Sequence, residues 1–326
     1  MIPVVALLRV VAFLAVVSTV YGGAIRWVWR TWKRIPVTGR ADRLFRHRAV
    51  GAMLLGAAAL GTVCIVYGVT VAPNRLTVCT YALETPKLPA GTRVRLVHLA
   101  DLHVRERGSR ERALPDLVRG LEPDLILHAG DYFARRDCVP VVTELLQSWD
   151  VPQYGCLGNV DCNLFLRAGG SGEGLFKALR EGGVHVLLEE GRVEEVGGAR
   201  IRIVGFTPGM ASAMRRHLDR QDGDTFTVVL YHYPSGFPAL WDTGADLMLA
   251  GHTHGGQVAL PFYGALITLD RFDKRYEGGL YEEHGKWLCV SRGIGCEPSV
   301  PEVRFWCPPE VVVIDLIGTG AGPSAR

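Results

Sequence analysis

The chain has 326 residues, 48% of them hydrophobic, with a mean hydropathy of +0.16. That much apolar surface excludes a disordered chain, and the length predicts about two folding units. The net charge of +3 hides an asymmetry: residues 1–72 carry nine Lys/Arg against one acid, Asp42, and the rest of the chain is net negative, which argues against a nucleic-acid binder.

In chain order, the first apolar run covers residues 2–25 and is broken only by Arg9, close enough to the start to snorkel to an interface. A cleaved signal peptide is the rival reading, but the first eight residues hold no Lys or Arg and no clear small-x-small site follows. The second run, residues 49–72, is 24 consecutive uncharged positions, where a spanning helix needs about 20. Between them lie eight Lys/Arg from Arg26 to Arg48, interleaved with Trp27, Trp29 and Trp32. Basic charge beside interfacial tryptophan places this loop in the cytoplasm. Residues 1–72 are therefore expected to be a two-helix membrane anchor. The remainder is expected on the far side, an extracytoplasmic domain on a two-pass cell-membrane protein. Residues 73–92, which carry prolines, read as a linker or an edge element, and residues 93–326 as one domain.

From Arg93 the pattern alternates. Apolar runs at 93–100, 124–130 and 151–158 are separated by expected helices at 109–121 and 137–149, the second with Asp137 as N-cap. A helix over 174–182 follows, then three short strands through residue 206, a helix near 211–220, and the runs FTVVLYHYP (226–234) and DLMLAGHTH (246–254). This predicts an α/β fold with a mixed sheet. The eight cysteines form no CxxC pair, so a structural zinc knuckle is not expected.

Run after run ends in Asp, Asn or His. Ligands in open α/β sheets gather at the carboxyl ends of strands. The collected set is Asp101, His103, Asp131, Asn159, His232, His252 and His254. These oxygen and imidazole donors suit divalent Mn, Fe or Zn, and seven side chains are enough for a two-metal site. A lone His128 on a strand reads as structural.

The order Asp101-Leu-His103, Gly130-Asp131, Gly158-Asn159, His232 and Gly251-His252-Thr-His254 resembles the calcineurin-like metallophosphoesterase superfamily. The segments 251–261 and 291–316 are similar to its membrane-linked bacterial phosphodiesterase branch. The resemblance covers roughly residues 93–316. It implies a four-layer sandwich, two central mixed sheets flanked by helices, here behind an N-terminal transmembrane hairpin. It also implies two divalent metal ions: Asp101, His103 and His254 on one, Asn159, His232 and His252 on the other, Asp131 bridging. Hydrolysis would then use hydroxide generated on the ions, with Asp131, Asn159 and His232 as the catalytic set.

One departure matters. The superfamily pattern is Gly-Asn-His and then an acid, the histidine helping to protonate the leaving group; here it reads Gly158-Asn159-Val160-Asp161. General-acid help is worth about 10²–10⁴-fold, so its loss favours good leaving groups. Asp161, His128, Arg105 and Arg135 are the candidates to compensate. The expected function is a membrane-tethered phosphoesterase cleaving a phosphodiester or pyrophosphate whose substrate could be lipid-linked. Its alternatives are a UDP-diacylglucosamine pyrophosphatase of lipid A synthesis and a non-catalytic binding module on the same fold. A purely structural membrane protein leaves the ligand series unexplained. Substrate identity, native metals and oligomeric state stay open.

Overall fold

A computed structural model describes residues 4–167, 172–218 and 225–320. Helices α1 (Val4–Trp32) and α3 (Arg48–Val66), joined through the short α2 (Arg40–Phe45), form an antiparallel hairpin. A π turn over Tyr67–Val71 and a 3-10 turn over Ala72–Asn74 continue α3. Val4–Trp32 and Arg48–Asn74 are each long and apolar enough to cross a membrane, at 29 and 27 residues. At 1.5 Å per residue they reach about 43 and 40 Å, more than the hydrocarbon core of about 30 Å. They meet through small residues: Gly23 faces Leu54 and Gly51 faces the Trp27 ring, while Tyr21 Oη and Thr62 Oγ1 lie 2.9 Å apart. The outward faces, including Val11, Leu14, Met53 and Leu60, are bare. The basic loop is folded: Arg30 pairs with Asp42 at 2.8 Å, and Arg46 donates to the carbonyls of Arg30 and Ile35.

The strands that follow are β1 (Thr77–Pro89), β2 (Arg93–Leu99), β3 (Leu125–His128), β4 (Gln153–Gly155) and β5 (Val184–Val186). Next come β6 (Glu190–Val196), β7 (Ala199–Phe206), β8 (Phe226–Tyr231) and β9 (Leu247–Ala250). A small ribbon, β10 (Ala259–Leu260) with β11 (Gly264–Ala265), precedes the hairpin β12 (Gly279–Glu283) and β13 (Lys286–Val290). The last strand is β14 (Glu310–Gly320). They build two six-stranded sheets, ordered β1-β14-β2-β3-β4-β5 and β12-β13-β9-β8-β7-β6. Both are mixed. β2 to β5 run parallel with β14 antiparallel beside them, and β7, β8, β9 and β13 run parallel between antiparallel edges.

Alternation along each strand explains the layers. Val94, Leu96, Val228, Leu230, Leu247, Leu249, Val312 and Ile314 meet between the sheets. Their neighbours Val97, Leu99, Val311 and Val313 face outward beneath α4 (Ser109–Arg119), α5 (Val139–Leu146) and, after the short α6 (Asn159–Asp161), α7 (Glu173–Glu181). On the far side Val229, Met248 and Val290 pack under α8 (Ala211–His217) and the turn Pro234–Leu240. Strands covered on both faces read as continuous apolar runs, and the result is the expected four-layer sandwich.

Three expectations change. Within residues 73–92, Thr77–Pro89 is a 13-residue strand pairing parallel with β14, so the edge-element alternative describes it and the linker does not. Asp137 does not cap a helix: α5 begins at Val139 after a 3-10 turn, and Asp137 pairs with Arg135 at 2.9 Å. The helix expected over 211–220 ends at His217, and residues 219–220, like 2–3 and 321–326, lie outside the described residues. All eight cysteines are free thiols.

Candidate metal centre

The parallel strands of both sheets end on one side of the molecule, and the polar residues follow them. β2 ends two residues before Asp101, β3 three before Asp131 and β4 four before Asn159. β8 ends one residue before His232, and β9 two before His252. Turning side chains inward so abruptly takes unusual backbone. Asp101, His103, Asp131, His252 and His254 all have positive φ, between 37° and 70°. Each non-glycine residue there costs roughly 1–3 kcal/mol, strain that persists where surrounding structure over-determines it.

Two groups of donors lie within 4.8 Å of one another, Asp101-His103-His254 and Asp101-Asp131-His232, and every member is buried. His103 Nε2 is 3.5 Å from Asp131 Oδ2, and His254 Nε2 is 3.6 Å from Asp101 Oδ1. Those spacings are long for hydrogen bonds. Donors about 2.1 Å from one ion sit about 3.0–3.4 Å apart, so these separations are a few tenths of an ångström from those around a shared cation. Both rings are buried, and His103 Nε2 makes no hydrogen bond.

His232 is the clearest case. Its Nδ1 lies 2.7 Å from the Ala129 carbonyl and donates to it, which aims Nε2 into the site. There Nε2 meets two oxygens, Asn159 Oδ1 at 3.0 Å and Asp131 Oδ2 at 3.2 Å. A neutral ring nitrogen has only a lone pair to offer them, so a proton or a metal ion belongs between. Without an ion the Asp131 carboxylate, overcoming burial, pushes this imidazole up to about 10. Asp131 itself is raised by burial, but His232 and His103 outweigh that and hold it below the usual carboxylate range. Burial, with Asp131 adding repulsion, pushes Asp101 up to about 7. Burial beside His232 pulls His252 down to about 3. Burial holds His103, His252 and His254 neutral, so without an ion only His232 sets positive charge against the two buried carboxylates, a shortfall that divalent ions would fill.

His252 stands at the edge: its ring is 5.2 Å from that of His232 and 4.5 Å from that of Tyr233. Its backbone N–H is 3.0 Å from each oxygen of Asp101. Val160 N–H donates to Asp131 Oδ1 at 2.8 Å, leaving Oδ2 toward the histidines. Glycine is required beside both carboxylates: a Cβ at Gly158 would land on Asp131 Oδ1, and one at Gly251 on Asp101 Oδ2. All seven expected residues are brought to this one site.

The groups expected to compensate for the missing histidine are each engaged by other partners. The Asp161 carboxylate faces backbone and accepts from Asp131 N–H (2.8 Å), Gly158 N–H (3.0 Å), Tyr132 N–H (3.0 Å) and, more weakly, Phe133 N–H (3.4 Å). His128 pairs with Gln153 at 3.1 Å in the helix-side core, as a structural residue does. Arg135 is engaged by Asp137 at the surface, and Arg105 reaches the Glu297 carbonyl at 3.5 Å.

A second layer was missed in the sequence. Arg304 is fully buried and donates to the carbonyls of Arg292, Gly293, Gly295 and Cys307. It thereby fixes the turn at 292–295, which clamps the first ligand loop: Ile294 N–H donates to Ala100 and Gly295 N–H to Asp101. Cys307 Sγ, 3.1 Å from the His254 carbonyl, supports the other histidine turn. The only signal was a lone arginine in an otherwise apolar RFWC run.

The calcineurin-like phosphoesterase model matches residues 94–256, half of the chain, and spans every one of the seven site residues. The chain belongs to the calcineurin-like phosphoesterase family. Metallophosphoesterase YkuE of Bacillus subtilis is 28% identical over 85% of this phosphoesterase and 98% of its own length. Phosphodiesterase YaeI of Escherichia coli is 28% identical over 68% of this chain and 82% of its own. UDP-2,3-diacylglucosamine pyrophosphatase LpxG of Chlamydia muridarum is 21% identical over 74% of this chain and 89% of its own. This phosphoesterase is thus a hydrolase of phosphoesters in a family that uses a dinuclear divalent metal centre.

Proposed function

We propose that this phosphoesterase is a membrane-anchored phosphodiesterase with its catalytic domain outside the cytoplasm. In this reading Asp101, His103 and His254 hold one ion, Asn159, His232 and His252 the other, and Asp131 bridges. The carrying observation is the convergence of Asp131 Oδ2 and Asn159 Oδ1 on His232 Nε2, a nitrogen already oriented from its far side. Bound divalent ions would supply activated water and neutralise phosphoryl charge. The protein's own part is positioning. Val160 N–H and His252 N–H fix the two carboxylates, and Ala129 fixes the His232 tautomer. Neither Val160 nor the inward-turned Asp161 gives the leaving group a proton. That supports substrates whose leaving oxygen departs unaided, as in activated diesters and pyrophosphates.

The test compares kcat/KM for an aryl phosphodiester and the matching monoester at equal metal loading. Wild type is expected to favour the diester, and Val160→His to shrink that preference about tenfold, the low end of general-acid effects. A wild-type preference for the monoester would refute the diester reading. An unchanged ratio in the variant would remove position 160 from the determinants of substrate class.

Support for the anchor comes from the bare apolar faces of α1 and α3, which no part of the domain covers among the described residues. Orientation rests on the eight Lys/Arg of the connecting loop. A periplasm-active reporter fused after residue 80 should work, and one fused near residue 38 should not. The opposite pattern would favour a second reading, a nucleotide-lipid pyrophosphatase facing the cytoplasm, which the similarity to LpxG supports.

A further inference from the structure

Large apolar side chains exposed on the catalytic domain are few, and they cluster. Outside the helical hairpin, among the described residues, the exposed ones are Val78, Leu188, Val193, Phe262, Tyr263, Leu269, Val300 and Trp306. Five of these eight sit on two segments, 262–269 and 300–306, and Phe262 is fully exposed at its tip. Scattered apolar residues need no explanation, but a cluster holding Phe, Tyr and Trp does.

Both segments are fastened to the sides of the anchor helices. Arg9 of α1 donates to the Leu266 carbonyl at 3.3 Å and pairs with Asp273. Gly68, in the turn continuing α3, accepts from Arg304 N–H at 2.9 Å and packs against Val303 and Phe305. These contacts lie near the same end of the two-helix hairpin. Arg9 is five residues into α1, about 7 Å along its axis, and Gly68 is six residues before Asn74, about 9 Å. Sixteen uncharged residues, 10–25, run from Arg9 to Arg26, about 24 Å of helix. The two fastening points therefore mark one edge of the apolar slab, and the aromatic segments lie at that level. Tyr and Trp concentrate at this depth because their rings suit a half-wet boundary.

Behind the aromatic tips is a cleft of about 200 Å³, lined by Phe262 and Trp306 at its mouth and by Glu277, Arg292, Gly255 and Cys307 deeper in. Its lining adjoins the turn that carries His254: Gly255 follows that residue, and Cys307 Sγ donates to its carbonyl.

We propose that segments 262–269 and 300–306 are a membrane-docking collar. Phe262 and Trp306 sit in the lipid headgroup layer, and the domain lies against the bilayer with this cleft facing the lipid. The substrate class is then a membrane lipid carrying a phosphodiester or pyrophosphate, taken from the headgroup layer beside the anchor. The inference rests on the membrane-anchored reading above.

The test uses the full chain in bilayer nanodiscs, with an environment-sensitive fluorophore on Leu60→Cys, Phe262→Cys, Trp306→Cys or Val193→Cys and unlabelled-site background taken from wild type. Lipids brominated in the acyl chain and a water-soluble quencher are compared. The labels at 262 and 306 should be quenched about twofold by lipid brominated near its carbonyls, as expected for interfacial side chains. The label at 60 should be quenched by lipid brominated deep in the chain, and the label at 193, on the edge strand β6 at the opposite side of its sheet, by the aqueous quencher only. If 60 is quenched by lipid while 262 and 306 behave like 193, the collar is refuted and the anchor stands. If 60 also behaves like 193, the anchored reading fails first. Shielding of 262 and 306 from both quenchers would assign the patch to a protein contact and overturn the proposal.

Discussion

Asp131→Ala is expected to abolish turnover, lowering kcat/KM by at least about 10³-fold, the upper range for a single electrostatic group in an active site. The carboxylate is within reach of His103 at 3.5 Å and His232 at 3.2 Å, so it faces both halves of the donor set. Its loss removes one negative charge that two dications would share, and both affinities fall. The fold should survive. The residue is buried in a polar cluster of imidazoles, and alanine tolerates the turn at a modest strain cost. Circular dichroism and the unfolding midpoint of the variant in detergent check that half, and aryl-diester turnover checks the other. A variant that keeps a tenth of wild-type turnover would show that Asp131 does not bridge.

Asp161→Ala is expected to produce the largest loss of stability. The wild-type carboxylate accepts three close backbone N–H bonds and one longer one, from three consecutive residues after β3 and from Gly158. Alanine leaves these buried donors without an acceptor, which costs about 3 kcal/mol or more once water enters partly. The unfolding midpoint should drop by roughly 10 °C. Asp161→Asn keeps one carbonyl acceptor but turns an NH₂ group against donors, so it should fall between wild type and alanine. An alanine variant melting with wild type would mean that this network does not hold the two ligand turns together.

The difference between these two aspartates shows what the sequence makes legible. Asp131 ends an apolar run, as do Asp101, Asn159, His232 and His252, and a strand buried on both faces announces itself by uninterrupted Val, Leu and Ile. The strands at 93–99, 125–128, 226–231 and 247–250, and the polar residues after them, follow from that pattern. Asp161 and Arg304 bond to backbone groups, and a backbone carbonyl or N–H has no letter in the sequence. Strand β1 was obscured because it is an edge strand, half exposed and holding Pro86 and Pro89, features that also mark linkers. The β12–β13 hairpin was obscured by its polar residues. Its signal lay in the turn, where His284 and Gly285 both take positive φ as a two-residue hairpin loop demands. The Val160 departure was legible, but its consequence needed the structure: it is the backbone N–H of this residue, and not its side chain, that holds Asp131.

The most direct test of the metal-centre reading is a titration of the full-length wild type, stripped with chelator in detergent and refilled with Mn²⁺. Bound metal per chain and aryl-phosphodiester turnover are read on the same samples. Binding is expected to saturate at two ions per chain, with turnover rising only as the second ion fills. Full turnover at one ion per chain, or two ions bound with no phosphoester hydrolysed, would contradict it.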